Sequence, residues 1–90
     1  MKVTYDAKKN EKNIRERGLS FERADELDFD TASFFFLERD GEVRRLAVGY
    51  LDKRLHVLVY QHRDDGMRVI SFRKASIKEA KKYGKAKTID

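Results

Sequence analysis

A chain of 90 residues, 41 % charged and 40 % apolar, can close one core of two layers but has little stability to spare, so residues 1–90 are expected to form one domain. Ten aromatics argue against disorder, and the absence of cysteine excludes disulfides and thiolate nucleophiles; with only two histidines, a structural zinc site is not expected either. The net charge of +5 is unevenly placed, −1 over residues 1–50 and +6 over residues 51–90, which points to a polyanionic partner, nucleic acid above all, against the plainer reading of a solubilising surface.

Lys2 to Tyr5 reads as a short strand, and Asp6 as the N-cap of a helix running to about Arg17, where Gly18 suits a left-handed stop. The apolar content of this helix is thin, Ala7 and Ile14, helped by Leu19. Ser20 is expected to cap a second helix with Phe21, Ala24 and Leu27 on its inner face. Both helices are too short to persist alone and must lie on a sheet. Ser33 to Arg39 (SFFFLER) is a strand, with one face expected in the core and the other left as a patch for a partner. Asp40-Gly41 is a hairpin turn, Glu42 to Leu51 the next strand, and Asp52-Lys53 a weaker turn. Leu55 to Tyr60 (LHVLVY) is apolar on both faces apart from His56, as a central strand should be. Met67 to Lys74 is the last strand. Ser76 to Glu79 is a capping box that starts a C-terminal helix with Ile77, Ala80 and Tyr83 on one side, fraying at Gly84. The order β-α-α-β-β-β-β-α predicts an α+β fold, an antiparallel meander with helices packed on it. No apolar run approaches a membrane span, and MKVTYDAKKN lacks the apolar core of a signal peptide, so a soluble cytoplasmic protein without membrane contact is expected.

The register of the last hairpin decides which side chains share a face. With Asp65-Gly66 as a two-residue loop, Arg63 pairs with Arg68, and Arg73 falls on the opposite face from Arg63. With Asp64-Asp65-Gly66 as a three-residue loop and Gly66 left-handed, Arg63 pairs with Met67. Arg63, Ser71 and Arg73 then share a face with Val57, Val59 and Val69. The second register is preferred, because it suits glycine at the third loop position and keeps two arginines from facing each other. A guanidinium fork matches phosphate oxygens; the competing role is ion pairing with acidic residues of the first half, such as Glu22 or Glu26.

Three stretches then carry a family resemblance over nearly the whole chain. YDAKKNEKNIRERGLSFERA resembles W-D-x-x-K-x-x-x-N-x-x-K-H-G-[VI]-S-F-E-E-A, with Asp6, Lys9, Asn13, Gly18, Ser20, Phe21, Glu22 and Ala24 in register. RRLAVGYLDKRLHVLVYQHR resembles R-W-x-x-I-G followed by an apolar strand ending in Y-T-x-R, and RVISFRKASIKEAKKY resembles R-I-I-S-A-R-x-A-x-x-x-E-x-x-x-Y. These are patterns of the BrnT toxin family, ribonuclease toxins of bacterial toxin–antitoxin pairs. The resemblance implies a RelE-like antiparallel sheet carrying two N-terminal helices and a C-terminal one. It implies RNA cleavage without metal or cofactor, on or off the ribosome, and inhibition of translation. It also implies neutralisation by a cognate BrnA-type antitoxin, a small DNA-binding protein through which the complex reaches operator DNA. The chain departs from the family at Arg17, where a histidine is usual, at Arg45, where an aromatic is usual, and at Thr31, where proline is common.

Such a reaction needs a base for the ribose 2′-hydroxyl, balance for the added charge of the phosphorane, and a proton for the leaving 5′-oxygen. Fixed donors aimed at developing charge supply the second need. Arg63 and Arg73 match the arginines of Y-T-x-R and I-S-x-R, and Arg44 that of R-W-x-x-I-G; these three are expected to converge on one phosphate. Glu79 matches a family position, although its capping box explains it equally. Tyr83 is either a proton donor or base-stacking platform, or a core contact. For the base, His62 has a suitable ordinary pKa but points away from Arg63 by strand parity, and His56 is the weaker candidate. Lys9, Asn13 and Arg17 form a polar helix stripe, read either as an RNA track or as a solvated face. Lys74, Lys78, Lys81 and Lys82 are expected to add salt-dependent backbone affinity. The alternative to a ribonuclease is a non-catalytic nucleic-acid- or antitoxin-binding module; a third reading is an interaction protein whose charge is incidental.

Overall fold

The computed structural model describes residues 2–89. In chain order it contains β1 (Lys2–Tyr5), α1 (Ala7–Arg17), a 3₁₀ helix (Phe21–Glu26), β2 (Ser33–Arg39), β3 (Glu42–Leu51), β4 (Arg54–Arg63), β5 (Gly66–Lys74) and α2 (Ile77–Lys82). The strands form one sheet in the order β1-β5-β4-β3-β2. It is an α+β arrangement, but the sheet is mixed rather than antiparallel throughout. Strands β2 to β5 are the expected meander, while β1 joins the far edge parallel to β5, from Lys2↔Gly66 to Tyr5↔Val69.

That parallel strand explains Gly66. Its φ is not positive, contrary to the three-residue loop expected for it. A Cβ there would stand 1.8 Å from the Lys2 carbonyl oxygen, so glycine is needed because β1 lies against it. Gly66→Ala must push the first strand off the sheet edge. A loss of about 1–3 kcal/mol, the usual cost of overpacking, is expected in urea unfolding.

The turns and caps follow local chemistry. Asp40 and Gly41 (φ 53 and 77), and Asp52 and Lys53 (φ 50 and 65), take the left-handed pairs that two-residue hairpins need. Asp6 accepts the backbone N–H groups of Lys8 and Lys9 at 2.9 and 3.2 Å, and these bonds hold its carboxyl below the ordinary range. The capping box closes as expected: Ser76 Oγ accepts from Glu79 N, and a Glu79 carboxylate oxygen accepts from Ser76 N.

Helices cover both faces of the sheet. On one, the 3₁₀ helix sets Phe21, Ala24 and Leu27 against Ala47, Leu58 and Phe72. On the other, α2 packs Ala80 with Val48, Leu55 and Val57, beside Tyr83. Strand β4 is therefore buried from both sides, as its composition predicts. The second helix is 3₁₀ rather than α: Ser20 caps it through Glu22 N, but the chain is already extended at Leu27.

Two expectations about packing fail. Ala7 is exposed and Ile14 is 46 % exposed, so α1 is not seated by apolar residues. Its buried residues are Asn10 and Asn13. Asn10 Oδ1 accepts from Phe21 N at 2.7 Å, and Asn13 Nδ2 donates to Leu19 O and Phe72 O, both at 2.9 Å. Likewise, neither face of β2 is core: Phe34, Phe35, Phe36 and Leu37 are all exposed along the free edge of the sheet. Phe34 stacks on Phe29, Phe35 meets Tyr83, and Phe36 lies under Arg45. Beyond Gly84 the chain does not fray. Leu55 N donates to Lys87 O, and Thr88 bridges Arg54.

Candidate active site and nucleic-acid interface

Neither expected register describes the β4–β5 hairpin. Arg63 pairs with Gly66 across an Asp64-Asp65 loop, and the pairing then slips, Tyr60↔Val69 being followed by Val59↔Ser71. Ile70 is the extra residue. This bulge restores the parity that the loop alone would have reversed. Arg63, Ser71 and Arg73 do share a face with Val57 and Val59, while Val69 turns to the opposite side and joins Tyr60 and Phe72 in the core.

A shared face is not a shared spot. Arg73 pairs with Val57, six residues along β4 from Arg63, a separation of about 20 Å. Arg63 sits at the hairpin tip, donating to Gln61 Oε1 at 2.9 Å. Arg44 lies two residues before Leu46, whose partner is Val59, so it belongs with the tip rather than with Arg73. Its Nε is buried without a hydrogen-bond partner among the described residues. The three arginines therefore do not converge on one phosphate.

Around Arg73 the structure gathers Glu79 and Tyr83. Arg73 donates through Nη1 and Nη2 to the two Glu79 oxygens, at 2.7 and 2.9 Å. The arginine, helped by the Ser76 cap, holds the Glu79 carboxyl down at about 2, and the carboxylate in turn raises the Arg73 pKa. Tyr83 caps the end of α2 with its ring 5.0 Å from Phe35. The acidic residues expected to neutralise the arginines are engaged elsewhere: Glu22 accepts from Tyr5, and Glu26 from Arg23.

Because the folded Glu79 pKa lies below its ordinary value of 4.5, the pair stabilises the fold fully above about pH 4.5. That contribution is lost as pH falls from 4.5 through about 2. Thermal unfolding followed against pH should show this loss in the wild type. In Glu79→Gln it should be absent, with the two proteins converging at the acid end.

On the other side of Arg73 opens a cleft of about 620 Å³ that the sequence did not reveal. It is assembled where the end of α1, the 3₁₀ helix, the β3–β4 turn and the end of β5 meet. Arg17, Arg23, Arg54, Arg73 and Lys74 line it, against the single carboxylate of Asp52, which Arg23 holds at 2.8 Å. Arg54 is fixed by donating to the carbonyls of Leu55 and Ala75. Arg17 donates to Asn13 Oδ1, and Lys74 is exposed on the strand position opposite His56.

His56 also lines this cleft. It is 4 % exposed, its ring 5.5 Å from that of Phe72, with Nδ1 2.7 Å from the Arg54 carbonyl oxygen. Burial pushes its pKa down, with Arg54 and Lys74 acting in the same sense; the bond to the carbonyl and the Asp52 charge act against them. It is the one polar side chain in LHVLVY, the most buried stretch of the sheet, and that contrast was the available signal. His62 faces away from Arg63, paired with Met67 on the opposite side of the sheet.

Of the residues expected to touch RNA, Lys9, Arg17, Lys74, Lys78, Lys81 and Lys82 are exposed, and Arg17 and Lys74 meet at the cleft. Asn13 is not part of a surface stripe: it is 4 % exposed, and its side chain is spent on the fold.

A cation-lined cleft in a protein of net charge +5 defines a class, small α+β proteins whose charge suits a polyanion. The particular family follows from comparison: residues 5–79 match the BrnT ribonuclease toxins of type II toxin–antitoxin systems, and the chain belongs to that family. Its role is thus that of a toxin with ribonuclease action, with a protein antitoxin as partner and RNA as substrate. The matched span includes Arg44, Arg63, Arg73 and Glu79 and stops short of Tyr83. No curated protein and no solved structure matches the chain. Among the described residues, no helix is long and apolar enough to cross a membrane.

Proposed function

We propose that residues 1–90 form a single RelE-like toxin domain that cleaves RNA without a metal ion, by attack of the ribose 2′-hydroxyl on the adjacent phosphorus. Translation stops as a result, and a BrnA-type, DNA-binding antitoxin silences the toxin and carries the complex to operator DNA. Its place of action is the cytoplasm, where its RNA substrate is made. The observation that carries the reading is the cleft, with five cations against one already paired carboxylate, in a chain of a ribonuclease family.

The roles divide along the sheet. Arg73, at the cleft, contacts the scissile phosphate. Arg63, about 20 Å away by strand rise, and Arg44, toward the same tip on β3, hold a more distant part of the same RNA. Lys9, Arg17, Lys74, Lys78, Lys81 and Lys82 supply backbone affinity that weakens with salt. Tyr83, whose ring lies against Phe35, stacks on a base. Purified protein should cleave single-stranded RNA in the presence of a chelator, and Arg73→Ala should lower the rate about 10²–10³-fold, the cost of removing one fixed donor to developing charge. Equal cleavage by the variant would remove Arg73 from the site.

One observation favours a second reading. The bidentate bond to Glu79 leaves Arg73 already satisfied, which is the state of a strut rather than a phosphate ligand. A protein that binds RNA with a steep salt dependence, and cleaves none of it free or on ribosomes, would be a non-catalytic binding module.

A further inference from the structure

We infer that His56 is the general base of this chain, taking the proton of the 2′-hydroxyl of an RNA strand seated in the cationic cleft; the inference rests on the ribonuclease reading above. A base at neutral pH must be unprotonated, fixed in one tautomer and open to the substrate on the nitrogen that carries the lone pair. His56 meets the three demands by position.

The Arg54 carbonyl accepts from Nδ1–H, so the proton of the neutral ring resides there and Nε2 carries the lone pair. Among the described residues Nε2 has no hydrogen-bond partner and is not one of the fully buried unpaired atoms, while the ring borders the cleft. The Phe72 ring holds the imidazole plane. Charge reaches the ring from Arg54 on its own strand, Lys74 across from it on β5 and Asp52 at the β3–β4 turn, while Arg17, Arg23 and Arg73 line the same cleft. Burial first, with Arg54 and Lys74 behind it, disfavours the charged ring before reaction, and the cations of the cleft attract the phosphate that brings the 2′-hydroxyl to it.

In the step itself, the 2′-O–H proton passes to His56 Nε2 and the 2′-oxygen forms a bond to phosphorus. The bond from phosphorus to the 5′-oxygen breaks, its electron pair leaving with that oxygen, which takes a proton from water. The products are a 2′,3′-cyclic phosphate and a 5′-hydroxyl. The imidazolium then returns its proton to solvent.

The test is a single-turnover pH–rate profile of the purified protein on single-stranded RNA, beside His56→Asn, which keeps a donor for the Arg54 carbonyl but has no Nε2. Expected is a fall of about 10²–10⁴-fold at neutral pH with RNA affinity unchanged. The wild-type rate should rise to a plateau through one ionisation below the ordinary histidine value, a limb the variant lacks. NMR titration of the wild-type His56 ring needs no variant to fold, and its pKa should coincide with that limb. His56→Asn cleaving at the wild-type rate, or a ring pKa that departs from the kinetic one, overturns the role. Retained cleavage by His56→Asn with loss in Arg73→Ala removes His56 alone, whereas wild-type protein that cleaves no RNA removes the ribonuclease reading with it.

Discussion

Arg73→Lys is expected to cut RNA cleavage about 10²-fold or more although the positive charge remains. Arginine offers a rigid planar fork of donors, lysine a flexible point charge. In the free protein that fork is closed on Glu79, with one N–H to each carboxylate oxygen. Gripping a phosphate from the cleft means exchanging part of this carboxylate for phosphate oxygens, or using the donors that Glu79 leaves over. Lysine can do neither in the same geometry, and the lost donor then falls on the developing charge of the transition state. Glu79→Gln separates this from a purely structural role. It removes the competing charge and should tighten RNA binding, with a salt slope steeper by about one phosphate contact. The unfolding temperature should fall in both variants in either case; if Arg73 only braces α2, RNA binding and the rate per folded molecule will not change.

Asn13→Ala should destabilise the protein by about 2–4 kcal/mol, read as a shift of the urea midpoint with an unchanged slope. Asn13 Nδ2 donates to Leu19 O, just past the end of α1, and to Phe72 O on β5 beyond the stretch that β1 pairs. Alanine breaks both bonds and leaves carbonyls in a place that is 4 % exposed around the lost side chain. A net bond contributes about 1 kcal/mol, and a buried acceptor left unpaired costs about 1–3 kcal/mol. Against a stability of about 5–13 kcal/mol for a chain of 90 residues, the loss is large. Ile14→Ala, one position along and the apolar anchor that periodicity suggests, should cost less than about 0.5 kcal/mol because that side chain faces solvent. Asn13→Ala should also lower activity indirectly, since Arg17 rests on Asn13 Oδ1 at the cleft wall.

Asp6, Gly18, the Asp40-Gly41 turn, the capping box of Ser76 and Glu79, and the doubly buried LHVLVY strand were all legible in the sequence. Each is decided by residues within a few positions of one another, through a cap, a left-handed turn or an alternation of apolar side chains. The family, with its RNA substrate and antitoxin partner, was legible for a related reason: its motifs are read in order along the chain. What the tertiary structure alone decided are contacts between distant residues. Gly66 needs to be glycine because Lys2 arrives beside it, α1 is seated by asparagines that reach β5 and the chain around Leu19 and Phe21, and the bulge at Ile70 puts Arg63 and Arg73 on one face yet far apart. The cleft draws its walls from residues 17 to 74, and a histidine that reads as strand filling comes to border it only because Arg54, Phe72 and Lys74 close around it. Local preferences cannot encode such a site, since the desolvation and charge that set His56 exist only once the sheet and its helices have closed.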